Sequence, residues 1–255
     1  MGLQKSIRQL HYQDQNDSVH VKVQELLDPS YGSYIWPSSL VLAEYVWKHR
    51  FQFANSRVVE LGAGTALPSL ILAKFFYQKS TQLIVTDIAP ILPNIIANCD
   101  LNGIPQLGST LWVRELAWGT FGSHGIDSLL NDIDTQWHEK IDWILGSDTF
   151  YDPADFEKLL MTVSYIIHRH NKNAKFITAY QERSSKRSIQ LLLDKWSLTC
   201  RLIPKESFGF EDARYIQDEE SSSDDGLPNE NVASVKIRSG ALASVFLLEI
   251  SSTPP

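Results

Sequence analysis

The stretch Val58-Val59-Glu60-Leu61-Gly62-Ala63-Gly64-Thr65-Ala66-Leu67-Pro68 constrains this chain more than any other. A short apolar run enters a Gly-x-Gly turn, and a helix-forming segment follows. The first glycine permits a tight turn, and the second lets a ligand come close to the backbone. The helix start beyond them offers unpaired N–H groups to the polar end of a ligand. Such a unit belongs in an open parallel sheet that holds its ligand at the carboxyl ends of the strands. A dinucleotide fingerprint needs a third glycine where Leu67 stands, which argues against a nicotinamide-dependent oxidoreductase.

The rest of the chain repeats the same alternation. Strand-like runs at residues 58–61, 83–86, 110–116, 141–146 and 175–179 are interleaved with helical patterns at 66–76, 91–101, 155–168 and 184–196 and a polar helix-and-loop stretch at 123–135. Runs at 198–203 and 241–250 lack a helix between them, so they are expected to pair antiparallel at one edge. The predicted fold is α/β: a Rossmann-like, seven-stranded, mostly parallel sheet with helices on both faces and an antiparallel C-terminal edge pair. Ahead of it, residues 7–12 and 18–27 suit a hairpin, and Trp36-Pro37-Ser38-Ser39 opens a helix with proline in its first turn. The expectation is one domain over 1–255, with 1–35 as an N-terminal extension. Residues 217–231, QDEESSSDDGLPNEN, are acidic and nearly free of apolar side chains, and read as a disordered loop.

Composition narrows the function classes. The net charge of −7 disfavours broad nucleic-acid binding and suits either a basic protein partner or plain solubility. Cys99 and Cys200 stand far apart, which leaves neither a disulfide framework nor a metal-ligand spacing and points to a reducing compartment. No signal peptide and no membrane-length apolar run are expected.

Several residues can then be given chemical roles. Asp87 ends the strand after the glycine turn, where a carboxylate accepts hydrogen bonds from both hydroxyls of a ribose; the other reading is a helix cap before Ala89-Pro90. Glu60, two residues before Gly62, fits the pattern Glu/Asp-x-Gly-x-Gly-x-Gly of methyltransferases that use S-adenosylmethionine, with Ala66 in place of the third glycine. The run Ile141 to Pro153 ends a buried strand in Gly146-Ser147-Asp148-Thr149-Phe150-Tyr151. Ser147 and Asp148 can reach a ligand or an acceptor there. Phe150 and Tyr151 either wall an acceptor channel or join the core. Trp36 and Trp118 are each either core residues or a cover for an adenine.

The set WPSS, VVELGAGTALPSL, VTD, LAWG, ILGSDTFY and AYQERSS, in this order, resembles the lysine-methyltransferase-like "family 16" group of seven-strand methyltransferases. The likeness covers about residues 35–208 and resumes over the last strand. The resemblance implies S-adenosyl-L-methionine as cofactor, bound by Trp36, Glu60, Gly62, Ala63, Gly64, Asp87, Trp118 and Ser147. It implies Asp148 and Tyr151 as the catalytic pair near the acceptor, no metal, and a less defined role for Tyr180 and Arg183. It further implies transfer to a lysine or arginine of a protein such as a histone, chaperone or translation factor, in the cytoplasm or nucleus. The competing classes are a cofactor-holding module without catalysis and a methyltransferase of a small molecule or RNA. For an arginine acceptor, Asp148, Asp152 and Glu182 are the candidate carboxylates.

Overall fold

Successive side chains of a strand point to opposite faces, and the central strands here are buried on both. The computed structural model describes residues 4–26, 32–76, 81–105, 111–184, 187–216, 232–234, 237 and 240–253. Strands β1 (Lys5–Gln13) and β2 (Ser18–Leu26) precede helix α1 (Pro37–Lys48). Then come β3 (Arg57–Leu61), α2 (Leu67–Phe75), β4 (Gln82–Asp87), α3 (Leu92–Leu101) and β5 (Leu111–Glu115). The second half runs α4 (Ile126–Trp137), β6 (Trp143–Ser147), α5 (Pro153–Tyr165), β7 (Lys175–Gln181), α6 (Gln190–Lys195), β8 (Leu198–Ile203), β9 (Val232–Ser234) and β10 (Val245–Ser252).

The main sheet has seven strands in the order β5-β4-β3-β6-β7-β10-β8. Neighbours from β5 to β7 pair parallel, and β10 inserts antiparallel between β7 and β8. This is the α/β architecture expected, with its antiparallel pair at the C-terminal edge. Val58 joins an apolar cluster with α1, α2 and α3, whereas Val59 and Leu61 join one with α4, α5 and α6. Helices therefore cover both faces. From β3 the chain winds outward to β4 and β5, then returns to β6 on the other side. The strand order thus reverses between β3 and β6, where an open sheet leaves a crevice.

The N-terminal hairpin forms in register, Leu10 opposite Val21, but does not join the main sheet. It makes a second sheet, β2-β1-β9, through parallel pairing of β1 with β9. Its free edge is satisfied by side chains. Asn98 of α3 and Asn102 just beyond its end accept the N–H groups of Gln24 (2.6 Å) and Lys22 (2.9 Å), and donate to the carbonyls of the same two residues. Backbone groups covered in this way are not open to pairing with another chain.

Three local expectations need correction. The helix expected at 184–196 is only Gln190–Lys195; the Ser188 hydroxyl accepts the Gln190 N–H (3.2 Å), and serines favour such local bonds over a helix interior. The strand expected at 241–250 starts at Val245 and runs to Ser252, because residues 241–244 form turns. The third strand of the small sheet was not expected. Helix α5 starts as expected, with Asp152 Oδ1 accepting the Ala154 N–H (3.0 Å) and Pro153 in the first turn. The loop expected at 217–231 lies outside the described residues.

Candidate functional site

The crevice at the β3/β6 switch is a cavity of about 630 Å³, within the range of small-molecule sites. Backbone geometry shapes its floor. Gly62 has φ +59°, and a Cβ there would stand 2.6 Å from Trp118 Cζ2. Gly64 has φ +56°, and a Cβ would stand 2.7 Å from the Gly32 carbonyl oxygen. Only glycine fits either place. Ala66 also takes the left-handed conformation, φ 61°, just before α2. That conformation is why the sequence pattern has glycine here, and alanine tolerates it at a cost of about 1–2 kcal/mol. Asn98 donates to the Thr65 carbonyl (3.3 Å), so the helix that holds the hairpin also holds the glycine turn.

Asp87 lines the cavity at the end of β4. It does not cap α3. Its Oδ2 accepts the Gly64 N–H and its Oδ1 the Ile88 N–H, both at 2.8 Å. Burial pushes its carboxyl up to about 6, against the pull of those two hydrogen bonds. Trp36, Gly62, Trp118 and Ser147 line the same cavity. Glu60, Ala63 and Gly64 do not. Glu60 lies fully buried beneath the turn, where its Oε2 accepts the backbone N–H (3.2 Å) and the hydroxyl of Ser69 in the first turn of α2. Burial pushes Glu60 up to about 7, Ser69 opposes this, and Asp87 adds to it. Ala63 is buried, with its N–H on the Thr86 carbonyl (3.0 Å). These three residues shape the turn from behind.

Asp148 and Tyr151 line the cavity as well. Asp148 is buried yet has φ 56°, a strained conformation for a non-glycine residue. Its N–H is tied to the Ala179 carbonyl at 2.7 Å. Both of its carboxylate oxygens face the Arg183 guanidinium, Nη1 to Oδ1 at 3.0 Å and Nη2 to Oδ2 at 2.5 Å. Tyr151 is half exposed, and partial burial together with Asp155 and Asp152 pushes its phenol upward. Asp152 is used as a helix cap and Glu182 lines a separate groove with Tyr180, so of the three candidate carboxylates only Asp148 reaches this cavity. Phe150 is core, 4% exposed.

Sequence reasoning missed Gly32, Asp155 and Lys158, all of which line the cavity. Asp155 and Lys158 stand three residues apart on the first turns of α5 and bond to each other (2.7 Å). Their place after a strand end was a usable signal. Gly32 carried none.

Residues 15–193 match the family model described as lysine methyltransferase. The chain belongs to this lysine methyltransferase family. It is 36% identical over 197 residues to the histone-arginine methyltransferase METTL23 of Xenopus laevis, covering 74% of each chain. It is 28% identical over 165 residues to the protein-lysine methyltransferase METTL21E of Mus musculus, covering 60% of this chain and 63% of the relative. The solved mitomycin 7-O-methyltransferase MmcR superposes with a TM-score of 0.50 at 10% identity, over 84% of this chain and 53% of that one, which bears on the fold alone. The enzyme is thus a methyltransferase of the Rossmann-like class, and its relatives' printed names divide between arginine and lysine acceptors.

Proposed function

We propose that this enzyme binds S-adenosyl-L-methionine in the β3/β6 crevice and methylates a side-chain nitrogen of a basic protein, with a histone arginine as the favoured acceptor. The observation that carries the reading is one cavity lined both by a strand-end carboxylate, Asp87, and by Asp148 with Tyr151. The residues fit the cofactor. Asp87 offers the acceptors a ribose needs, and Gly62, without a side chain, lines the cavity between them and Trp118. Trp118 and Leu116 give an apolar wall for an adenine, and Trp36 faces the same space. When bound, this cofactor supplies an electrophilic methyl group on a sulfonium that leaves as a neutral thioether. The chain's own work is alignment and exclusion of water. Ile88, Ile91 and Pro90 add apolar lining, and Asp148 directs the acceptor nitrogen by hydrogen bonding.

The arginine preference rests on the METTL23 relatives. A lysine acceptor is the second reading, favoured by the family description. A histone acceptor would put the enzyme to work in the nucleus, and a chaperone or translation factor in the cytoplasm.

The test is incubation with methyl-labelled cofactor and either cell extract or purified histones, beside Asp87→Ala. The expected outcome is a labelled protein band whose peptide masses place methyl on arginine. In Asp87→Ala, loss of two charge-assisted hydrogen bonds should weaken S-adenosylhomocysteine binding by about 100-fold, roughly 3 kcal/mol, and abolish the band. Methyl found only on lysine would replace the first reading with the second. A wild-type enzyme that does not bind S-adenosylhomocysteine would sink both.

A further inference from the structure

The candidate acceptor carboxylate is already engaged. A carboxylate has about four lone-pair sites, two on each oxygen. On Asp148, Oδ1 accepts from Arg183 Nη1 (3.0 Å) and from the Gln181 N–H (3.3 Å), and Oδ2 accepts from Arg183 Nη2 (2.5 Å). The fork of Arg183 therefore takes the whole bidentate edge. The frame around it is fixed. The Asp148 N–H donates to the Ala179 carbonyl, and the Gln181 side-chain Nε2 donates to the Ala241 carbonyl (3.2 Å) and the Ser244 hydroxyl (3.3 Å). The ends of β6, β7 and the turn before β10 thus converge on one ion pair. Asp148 is 7% exposed while the Arg183 side chain is 32% exposed and lines the cavity.

We propose that Arg183 is the positioning residue of the acceptor site: it occupies the bidentate edge of Asp148 and leaves that carboxylate one lone pair, on Oδ2, for a single acceptor N–H. This rests on the reading of the cavity as a protein-methylating site. Its consequence is specific. An incoming guanidinium cannot be held fork-to-fork on Asp148 as a free carboxylate would hold it. It is held by one N–H, which also suits a lysine amine. Asp148 then aims the acceptor's lone pair and is not free to draw in a second cation as a counter-ion. Acceptor choice is accordingly set by the rest of the cavity lining, Tyr151 included, and not by the charge of Asp148.

The experiment has two parts on the full chain. In the first, 15N spectra of the arginine side chains should show slowed rotation about the Arg183 guanidinium in the wild type, and free rotation in Asp148→Asn. In the second, kcat and KM for the labelled acceptor are compared in Arg183→Gln, Arg183→Lys, Asp148→Asn and the double variant, with S-adenosylhomocysteine affinity as the control for folding. Expected are a fall in kcat of at least tenfold in Arg183→Gln, an acceptor KM within threefold of wild type, and unchanged S-adenosylhomocysteine affinity. Arg183→Lys should recover little, because an ammonium lacks the planar fork. The double variant should be no worse than Asp148→Asn alone, since both break one unit. The inference is overturned by an unchanged kcat, by losses that multiply, by a lower acceptor KM in Arg183→Gln, or by loss of S-adenosylhomocysteine affinity in step with kcat. An Arg183 signal that rotates freely in the wild type overturns it alone. A wild-type enzyme that labels no acceptor while that signal is slowed overturns the functional reading, and this inference falls with it.

Discussion

A single methyl group decides the shape of the cofactor floor. Gly62 lies in left-handed backbone with the indole of Trp118 against it, so its substitution is penalised twice. Left-handed backbone costs an alanine about 1–2 kcal/mol. The added Cβ also displaces an indole that packs against the apolar cluster of α4 and α5. Gly62→Ala is therefore expected to lower stability by roughly 2 kcal/mol and to weaken S-adenosylhomocysteine binding at least tenfold. Thermal unfolding and calorimetric titration of the same sample separate the two effects. Normal affinity in a destabilised variant would mean that Trp118 does not border the cofactor.

At the scale of elements, a buried acid joins the first strand of the sheet to the first helix after the turn. Glu60 has no partner on Oε1, and burial holds its carboxyl up at about 7, above an ordinary value near 4.5. Its folded value exceeds its unfolded one, so its contribution to stability is complete below about pH 4.5 and is lost as pH rises through 7. The loss is on the order of 3 kcal/mol. Glu60→Gln should flatten the fall of Tm over that window; an unchanged slope would show that Glu60 is not the group titrating. The sequence pattern identified this acid but read it as a cofactor contact, because a motif gives spacing and not the side of the turn a side chain occupies. The same limit explains other gaps. Strand and helix alternation is written in local periodicity, so β3 to β7 were legible. The pairing of β1 with β9 and the hold of Asn98 and Asn102 on β2 join residues some 75 to 225 positions apart, and no local pattern encodes them. Arg183 likewise reaches Asp148 across 35 positions, at the ends of two neighbouring strands.

The charge of the whole molecule is unevenly written in its sequence. Residues 217–231 contain six carboxylates and no Lys or Arg, so the remainder of the chain is within one negative charge of neutral. If the acceptor is a basic protein tail, this one segment is the main source of long-range attraction for it. Attraction between exposed charges is screened beyond about 10 Å at 0.1 M salt, whereas contacts inside a dry cavity are little affected. The expected signature is a kcat/KM for a Lys/Arg-rich acceptor that falls about tenfold between 50 and 500 mM salt while kcat stays constant, because steering acts on encounter and not on the chemical step. Replacing the six carboxylates by their amides should remove that salt dependence and leave S-adenosylhomocysteine affinity unchanged. A salt dependence that survives the replacement would transfer the attraction to carboxylates elsewhere on the chain. A rate flat in salt from the outset would leave the acidic segment with solubility alone as its role, and would make shape, not charge, the basis on which this enzyme finds its acceptor.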